Sequence, residues 1–163
     1  CKVELGDTHA GNVPGRVDVG REVVTRLMAD RPDAKKPAAP PCPCGSGQPY
    51  ARCCQPLHDG EIQAASALIL MRSRYAAFVQ RRSDYLLATW HPSTRPAPFD
   101  LHADPSHWLG LKICAHTQQD ETHASVEFIA RYRLDGRGQR LHEHSQFVRE
   151  EGRWFYVSGE FLN

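Results

Sequence analysis

The chain has 163 residues, with 20 Lys and Arg against 19 Asp and Glu, so its formal net charge is +1 when histidines are neutral. Because binding to a phosphate backbone relies on an excess of positive charge, this balance argues against a dedicated nucleic-acid-binding protein. The sequence has no apolar run of about eighteen residues, which argues against a membrane protein, and no secretory signal at its start. A cytoplasmic location is therefore predicted.

Residues 1–41 are predicted to be an N-terminal extension that is largely disordered. Only residues 17–29 carry a short apolar pattern, which is compatible with one amphipathic helix. Residues 31–43 contain five prolines, separated mostly by alanine and lysine. This composition is typical of an extended linker that buries no core, so we expect the folded protein to begin at Cys42.

Four cysteines lie within thirteen residues, at Cys42, Cys44, Cys53 and Cys54. Thiolates that share one Zn²⁺ must converge at about 2.3 Å from the ion, so a turn has to direct the first pair back towards the second. The segment 45–47, Gly-Ser-Gly, can form that turn because glycine reaches positive φ values. The cluster therefore predicts one structural Zn²⁺ per chain, since a closed set of four ligands leaves no position for a catalytic water.

Two other uses of the cluster, and one alternative ligand, remain open at the level of sequence. A pair of disulfides would suit a small secreted domain. The adjacent Cys53 and Cys54 could carry redox chemistry, although the usual dithiol motif places two residues between its sulfurs. His58 could replace one thiolate in a Cys₃His site; otherwise it is expected to be a surface histidine.

After the cysteines the apolar residues follow a helical period. Steps of three and four between residues 65 and 79 predict one core helix with a wide apolar face. Ser83 is predicted to cap a second helix over residues 85–90, which a proline then ends. A third short helix is predicted over residues 104–108, where aspartate is followed by proline.

From residue 109 onwards the period changes to two, which indicates strands. Apolar residues alternate with other residues over 109–113 and 126–132, and two more strands are predicted at about 140–149 and 153–159. The dipeptide Glu151-Gly152 predicts a hairpin turn between the last two. Helices followed by a meandering antiparallel sheet indicate an α+β fold.

Two parts of the sequence resemble known families. The pattern Cys-Pro-Cys-Gly-Ser-Gly-x-x-Tyr-x-x-Cys-Cys at 42–54 resembles the SEC-C motif, the zinc module at the tail of the SecA translocation ATPase. The YchJ family of uncharacterised bacterial proteins is resembled by residues 70–79, 84–86, 89–93, 108–111 and 152–156. This resemblance implies a SEC-C motif at 42–59, followed at 60–163 by a nuclear transport factor 2-like (cystatin-like) domain, in which helices pack on a curved sheet.

A curved sheet of that kind implies a cone whose open end can hold a small molecule. Glu143 shares a strand face with Leu141 and Phe147, so we expect it to point into the cone, where a carboxylate could serve acid–base chemistry. Alternatively, Glu143 is a structural partner of an arginine such as Arg72 or Arg131. The candidate pocket comprises Arg72, Tyr75, Trp90, Trp108 and Glu143, with His91 as a second weak candidate for catalysis.

Two classes of function follow from these sites. The first is an interaction protein that docks onto protein partners through the zinc-binding motif at 42–59. The second is a small-molecule-binding protein, or an enzyme of hydrolase or isomerase type, that uses the cone. The first is favoured because the sequence contains no complete catalytic constellation. A large pocket with Glu143 facing a histidine would favour an enzyme. A cone filled with side chains, beside an exposed zinc-binding motif, would favour docking.

Overall fold

A computed structural model describes residues 39–163 of the chain. The predicted extension therefore lies outside the described residues, except for its last three. Three helices are followed by four strands: α1 (Gln55–His58), α2 (Ala67–Val79), α3 (Ser83–Ala88), β1 (His107–Gln118), β2 (His123–Leu134), β3 (Arg137–Glu150) and β4 (Arg153–Phe161). Single 3₁₀ turns lie at Tyr50–Arg52 and Leu101–Ala103. This order confirms the predicted α+β fold.

Helix α2 is the core helix that the apolar period predicts. Ser66 caps its start, because the Ser66 Oγ accepts a hydrogen bond of 3.2 Å from the Ile69 N–H. Its buried residues include Leu70 and Tyr75, which are 1% and 3% exposed. The helix packs against β1, β2 and β4, so it forms one side of the core.

The prediction for the start and end of the second helix is wrong in detail. Ser83 is the first residue of α3, not its cap, and its Oγ accepts a hydrogen bond of 3.0 Å from the Leu101 N–H. The helix ends at Ala88, before Trp90. The side chain of Ser83 is thus used to hold a distant loop, which local sequence cannot reveal.

The predicted third helix at 104–108 is also wrong. The helical turn lies earlier, at Leu101–Ala103, where the Asp100 side chain accepts from the His102 N–H at 2.8 Å. Asp104 has an extended ψ of 118°, as expected for a residue before proline, and its Oδ1 accepts from the Ser106 N–H at 2.9 Å. Strand β1 then begins at His107.

The sheet is an antiparallel meander in the order β1-β2-β3-β4. Two-residue turns with positive φ at both positions join the later strands, at Asp135-Gly136 and at the predicted Glu151-Gly152. Register shifts interrupt the pairing twice in β1 and once between Gln146 and Phe147. Irregularities of this kind bend strands, and they accompany the curved sheet that the family resemblance implies.

Along β3 the side chains alternate between the core and the other face. Glu143, Ser145 and Phe147 are 8%, 0% and 2% exposed, whereas Gln146 between them is exposed. The face to which the alternation assigned Glu143 is therefore the buried one. This register brings a carboxylate beneath α2.

Candidate metal centre and ligand cavity

The four clustered cysteines converge on one point. Their four Sγ atoms all lie within 4.8 Å of one another, and three of the four side chains are buried: those of Cys42, Cys44 and Cys54. The Cys44 and Cys53 sulfurs are 3.5 Å apart, and those of Cys53 and Cys54 are 3.8 Å apart. Both distances exceed the disulfide bond length of about 2.05 Å and resemble the separation of about 3.8 Å between sulfurs on a tetrahedral zinc. The geometry is compatible with a metal site formed by four free thiols.

The turn that aims the thiols is formed as the glycines predict. Gly45 and Gly47 have φ values of 77° and 78°. The Gly45 N–H donates to the Cys42 carbonyl at 3.2 Å, and the Cys42 N–H donates to the Gln48 carbonyl at 2.6 Å. The Ser46 Oγ lies 3.1 Å from the Cys53 Sγ. We call residues 41–58 the knuckle.

Among the four cysteines, Cys44 is the one whose thiolate form is most favoured. Hydrogen bonding from Cys54, with a further contribution from Ser46, lowers the pKa of Cys44 to about 4. Burial raises the pKa of Cys42 to about 11. The pKa of Cys54 is also raised, because its proton is held in the hydrogen bond to Cys44. Uptake of a cation by all four sulfurs would release the remaining thiol protons.

The knuckle packs on α2. The Arg72 Nη1 donates a hydrogen bond of 2.7 Å to the Cys44 carbonyl. Ala76, one turn further along α2 and fully buried, packs in a cluster with Cys42, Cys44 and Cys54. The predicted pocket residue Arg72 therefore belongs to the metal centre and not to the cone.

His58 is neither a surface residue nor placed as a metal ligand. It is only 4% exposed, and both ring nitrogens are engaged: Nε2 donates to the Ser73 carbonyl and Nδ1 accepts from the Tyr50 hydroxyl, both at 2.8 Å. Burial lowers its pKa, in keeping with a neutral ring. The ring also lies 4.6 Å from that of Tyr85. His58 thus joins the knuckle to α2 and α3.

A cavity of about 210 Å³ lies between α2 and the concave face of the sheet. Four predicted pocket residues line it: Tyr75, Trp90, Trp108 and Glu143. The remaining lining residues are Met71, Arg74, Phe78, Phe128, Ala130, Leu141, Tyr156 and Phe161. The cone is therefore open inside, with mainly aromatic walls.

Arg74 is a charged residue of the cavity wall that sequence reasoning missed. It is 3% exposed, and its Nη1 donates to the Leu86 carbonyl and to the Thr89 Oγ1, each at 2.8 Å. Its guanidinium carbon lies 5.0 Å from the ring centre of Trp90 and 4.6 Å from that of Tyr156. Burial lowers its pKa to about 10, which still leaves it charged at neutral pH. Helical spacing could have found it, because Arg74 lies three residues from Met71 on α2.

Glu143 is held by hydroxyl groups. Its Oε1 accepts from the Ser145 Oγ at 2.7 Å and from the Tyr156 hydroxyl at 3.0 Å. Burial and the adjacent carboxylate raise the pKa of Tyr156. Within residues 39–163 no arginine forms an ion pair with Glu143: Arg72 bonds to the knuckle and Arg131 is exposed.

Two side chains of the cavity wall carry buried polar atoms without partners. In the described part of the chain, neither the Trp90 Nε1 nor the Trp108 Nε1 has a hydrogen-bond acceptor. Such orphan donors are uncommon in folded proteins. Tyr75 packs edge-on against Trp108 with 5.8 Å between ring centres, which fixes this part of the wall.

His91 lies outside the cavity. Its Nδ1 is 2.6 Å from the Ser93 Oγ, and its Nε2 is 3.3 Å from the Glu150 Oε1. It lines a separate, more open groove that also includes Phe147 and Val157. The structure therefore does not bring the two candidate catalytic residues, His91 and Glu143, together.

The fold and the cysteine cluster define a class of protein, in which a SEC-C motif precedes a nuclear transport factor 2-like domain. A family profile described as the YchJ middle NTF2-like domain matches residues 66–159, and a SEC-C motif profile matches residues 41–56. The chain belongs to the YchJ family, whose curated relatives are named UPF0225 proteins. The resemblance seen in the sequence is confirmed.

Similar proteins cover the described residues. A UPF0225 protein from Bordetella parapertussis is 55% identical over 130 residues, which span 77% of this chain and 98% of that protein. The solution structure of a SEC-C motif containing protein from Rhodopseudomonas palustris has a TM-score of 0.68 at 39% identity, covering 76% of this chain and 99% of that chain. A crystal structure of a SEC-C motif containing protein from Psychrobacter arcticus has a TM-score of 0.63 at 31% identity, covering 76% and 83%.

Among residues 39–163, no helix is both long enough and apolar enough to span a bilayer.

Proposed function

We propose that this protein binds a small molecule in the cavity beneath α2. We also propose that a structural Zn²⁺ in the knuckle stabilises the side of the cavity that α2 forms. The observation that carries the proposal is the open cone itself, whose mainly aromatic wall includes the buried carboxylate of Glu143. A concave, mostly apolar site with a few polar groups is the usual form of a small-ligand site. Docking alone would need no such cavity.

Binding is better supported than catalysis. The cavity wall contains Glu143 but no histidine, and His91 lies in another groove. General acid–base chemistry commonly pairs two groups whose protonation differs, and here the carboxylate accepts hydrogen bonds from Ser145 and Tyr156. The enzyme alternative of hydrolase or isomerase type therefore has one candidate group and no second.

The cavity proposal can be tested with ¹⁵N-labelled protein and a library of small ring compounds. We expect hits to shift the indole N–H signals of Trp90 and Trp108, because both lie in the wall. In a cavity-filling variant, Leu141→Trp, the same compounds should no longer shift Trp90 and Trp108. If no compound binds at millimolar concentration, or if binding survives in the filled variant, the cavity is not a ligand site.

The proposed metal is Zn²⁺, one per chain, held by Cys42, Cys44, Cys53 and Cys54. Four convergent thiols with spacing close to that of a tetrahedral site support zinc, and the closed set supports a structural role. Metal analysis of purified protein should give one zinc per chain. Cys44→Ser should reduce it below one half, whereas His58→Gln should leave it at one. Equal loss in both variants would instead make His58 a ligand.

The docking function predicted from the sequence is a second candidate. It is supported by the exposed tip of the knuckle, residues 45–48. A tip variant that keeps its zinc, Gln48→Glu, should lose any protein partner that wild type captures through this surface. A partner retained equally by both proteins does not use the tip.

A further inference from the structure

The polar groups around the cavity limit what can bind in it, provided that the cavity is the ligand site proposed above. Glu143 has one oxygen already engaged, since Oε1 accepts from both Ser145 and Tyr156. Within the described residues the other oxygen, Oε2, receives no hydrogen bond from the protein. The carboxylate therefore has an acceptor left for a donor on a ligand.

The charges in the wall argue against an ionic ligand of either sign. Arg74 and Glu143 place one positive and one negative charge on the same cavity, and no ion pair within 4.0 Å joins them in the described structure. An anion would face Glu143, and a cation would face Arg74. Two of the aromatic faces in the wall, those of Trp90 and Tyr156, are already covered by the Arg74 guanidinium.

Size restricts the ligand further. The cavity of about 210 Å³ is smaller than the roughly 300–1,000 Å³ of sites for drug-sized molecules. A flat ring with one short substituent, about ten non-hydrogen atoms, suits its aromatic walls. Larger molecules would have to extend past Phe161, which is 71% exposed at the end of β4.

We propose that the ligand is a small, uncharged, ring-containing molecule that carries a hydrogen-bond donor, as a primary carboxamide or a lactam does. Its donor is given to Glu143 Oε2. Its ring lies against the aromatic wall. Recognition thus depends on neutral polar groups and not on charge pairing.

Four probes of one shape separate charge from hydrogen bonding: benzamide, benzoate, benzamidine and toluene. Each is titrated into the ¹⁵N-labelled, metal-loaded full chain while the three indole N–H signals are followed. We expect benzamide to bind at least tenfold more tightly than the other three and to shift Trp90 or Trp108. Trp154 is an internal control, because it lines a separate groove beside the knuckle and α3.

Removing the carboxylate charge of Glu143 should change which of the four probes binds most tightly. In Glu143→Gln the buried Arg74 is no longer balanced, so benzoate should become the tightest of the four probes. The matched control is Glu127→Gln, which removes a carboxylate outside the cavity that pairs with His142 at 2.7 Å. This control should keep the preference for benzamide.

Distinct outcomes overturn the two proposals. If benzoate or benzamidine binds most tightly to wild type, or if toluene binds as well as benzamide, the neutral polar ligand class is wrong while the cavity remains a ligand site. If none of the four probes binds and the wider library also gives no hit, the proposed function itself fails. An unchanged preference in Glu143→Gln removes Glu143 from recognition.

Discussion

Gly159 on β4 makes room for the carboxylate of Glu143. A Cβ at position 159 would overlap the Glu143 side chain, whose Oε1, Cδ and Cγ all lie in the space that it would occupy. The overlap is purely steric, because Gly159 does not have a positive φ. The position of the carboxylate is therefore set by a missing side chain on the neighbouring strand.

Gly159→Ala is expected to move Glu143 and to disrupt its bonds to Ser145 and Tyr156. Overpacking of this kind costs about 1–3 kcal/mol in the free energy of unfolding, which urea denaturation would measure. The control is Gly110→Ala on β1, where a Cβ meets no atom within 4 Å. A Gly159 variant as stable as the Gly110 variant would show that Glu143 relocates freely.

His58 should contribute stability without holding metal. His58→Ala removes two hydrogen bonds of 2.8 Å from a residue that is 4% exposed, and it leaves the Ser73 carbonyl and the Tyr50 hydroxyl without these partners. We expect a loss of about 2–4 kcal/mol in the free energy of unfolding. Unfolding in denaturant with zinc content measured in parallel checks both parts, and a loss of zinc with unchanged stability would contradict them.

At the scale of elements, α2 contacts the knuckle with one set of residues and lines the cavity with another. Arg72, Ser73 and Ala76 face the knuckle, whereas Met71 and Arg74 line the cavity. The alternation follows from the helical period of 3.6 residues, which turns neighbouring positions to different sides. One helix thus carries the two sites on interleaved residues.

Arg72→Met should weaken the hold of α2 on the knuckle while leaving the cavity intact. The variant keeps the length of the side chain but loses the 2.7 Å bond to the Cys44 carbonyl. A charged hydrogen bond of this kind is worth about 1.5–3 kcal/mol, so zinc transfer to a chelator should be at least tenfold faster. Arg52→Met, at an exposed position in the same knuckle, is the control and should transfer zinc at the wild-type rate.

The limits of sequence reasoning are clearest on these same elements. The strand alternation and the Glu151-Gly152 turn are local patterns, and the structure has both. Helix α2 is the predicted core helix, but it has no single apolar face, since Ser73 and Arg74 are buried and Ile69 is exposed. Tertiary packing decides which face of α2 contacts the knuckle. The sequence therefore predicts Arg72 as a pocket residue, whereas in the structure Arg74 lines the cavity. His58 was expected at the surface for the same reason, since only the folded knuckle places it between Tyr50 and Ser73.

The cysteine cluster was the part of the site most accessible from sequence, because its ligands lie within thirteen residues and are joined by a glycine turn. The convergence of Cys42, Cys44, Cys53 and Cys54 follows from that local turn. The cavity residues come from α2, the segment after α3 and all four strands, so their meeting depends on the register of the whole sheet. Alternation assigned Glu143 to the correct face, but no local pattern reveals that its side chain lies against Gly159, which pairs with Ser145 on the neighbouring strand.

At the scale of the whole molecule, residues 39–163 form one unit in which the knuckle is integrated. Leu57 of the knuckle is 6% exposed and belongs to the same apolar core as Leu70 and Phe147. Arg82 also joins the parts, since its Nη2 donates to the His58 carbonyl at 2.8 Å and its Nη1 pairs with Asp59 at 2.9 Å. The knuckle is therefore built into the domain through both apolar and polar contacts.

Removal of metal by a chelator should destabilise this entire unit. We expect the apparent Tm of residues 39–163 to fall by at least 10 °C, because metal-binding energy becomes folding energy in such modules and the knuckle shares the core. Circular dichroism and tryptophan fluorescence should report one coincident transition. Two separate transitions, with the later one unmoved by the chelator, would show that the knuckle unfolds alone.

The two faces of α2 also bear on thermodynamic reciprocity. If the proposed Zn²⁺ orders this helix, a ligand that binds its other face meets a helix that is already ordered. Linkage then makes each of the two proposed partners raise the affinity of the other by the same factor. Zinc depletion would therefore weaken binding in the cavity, and a high concentration of the ligand would make the protein hold its metal more tightly.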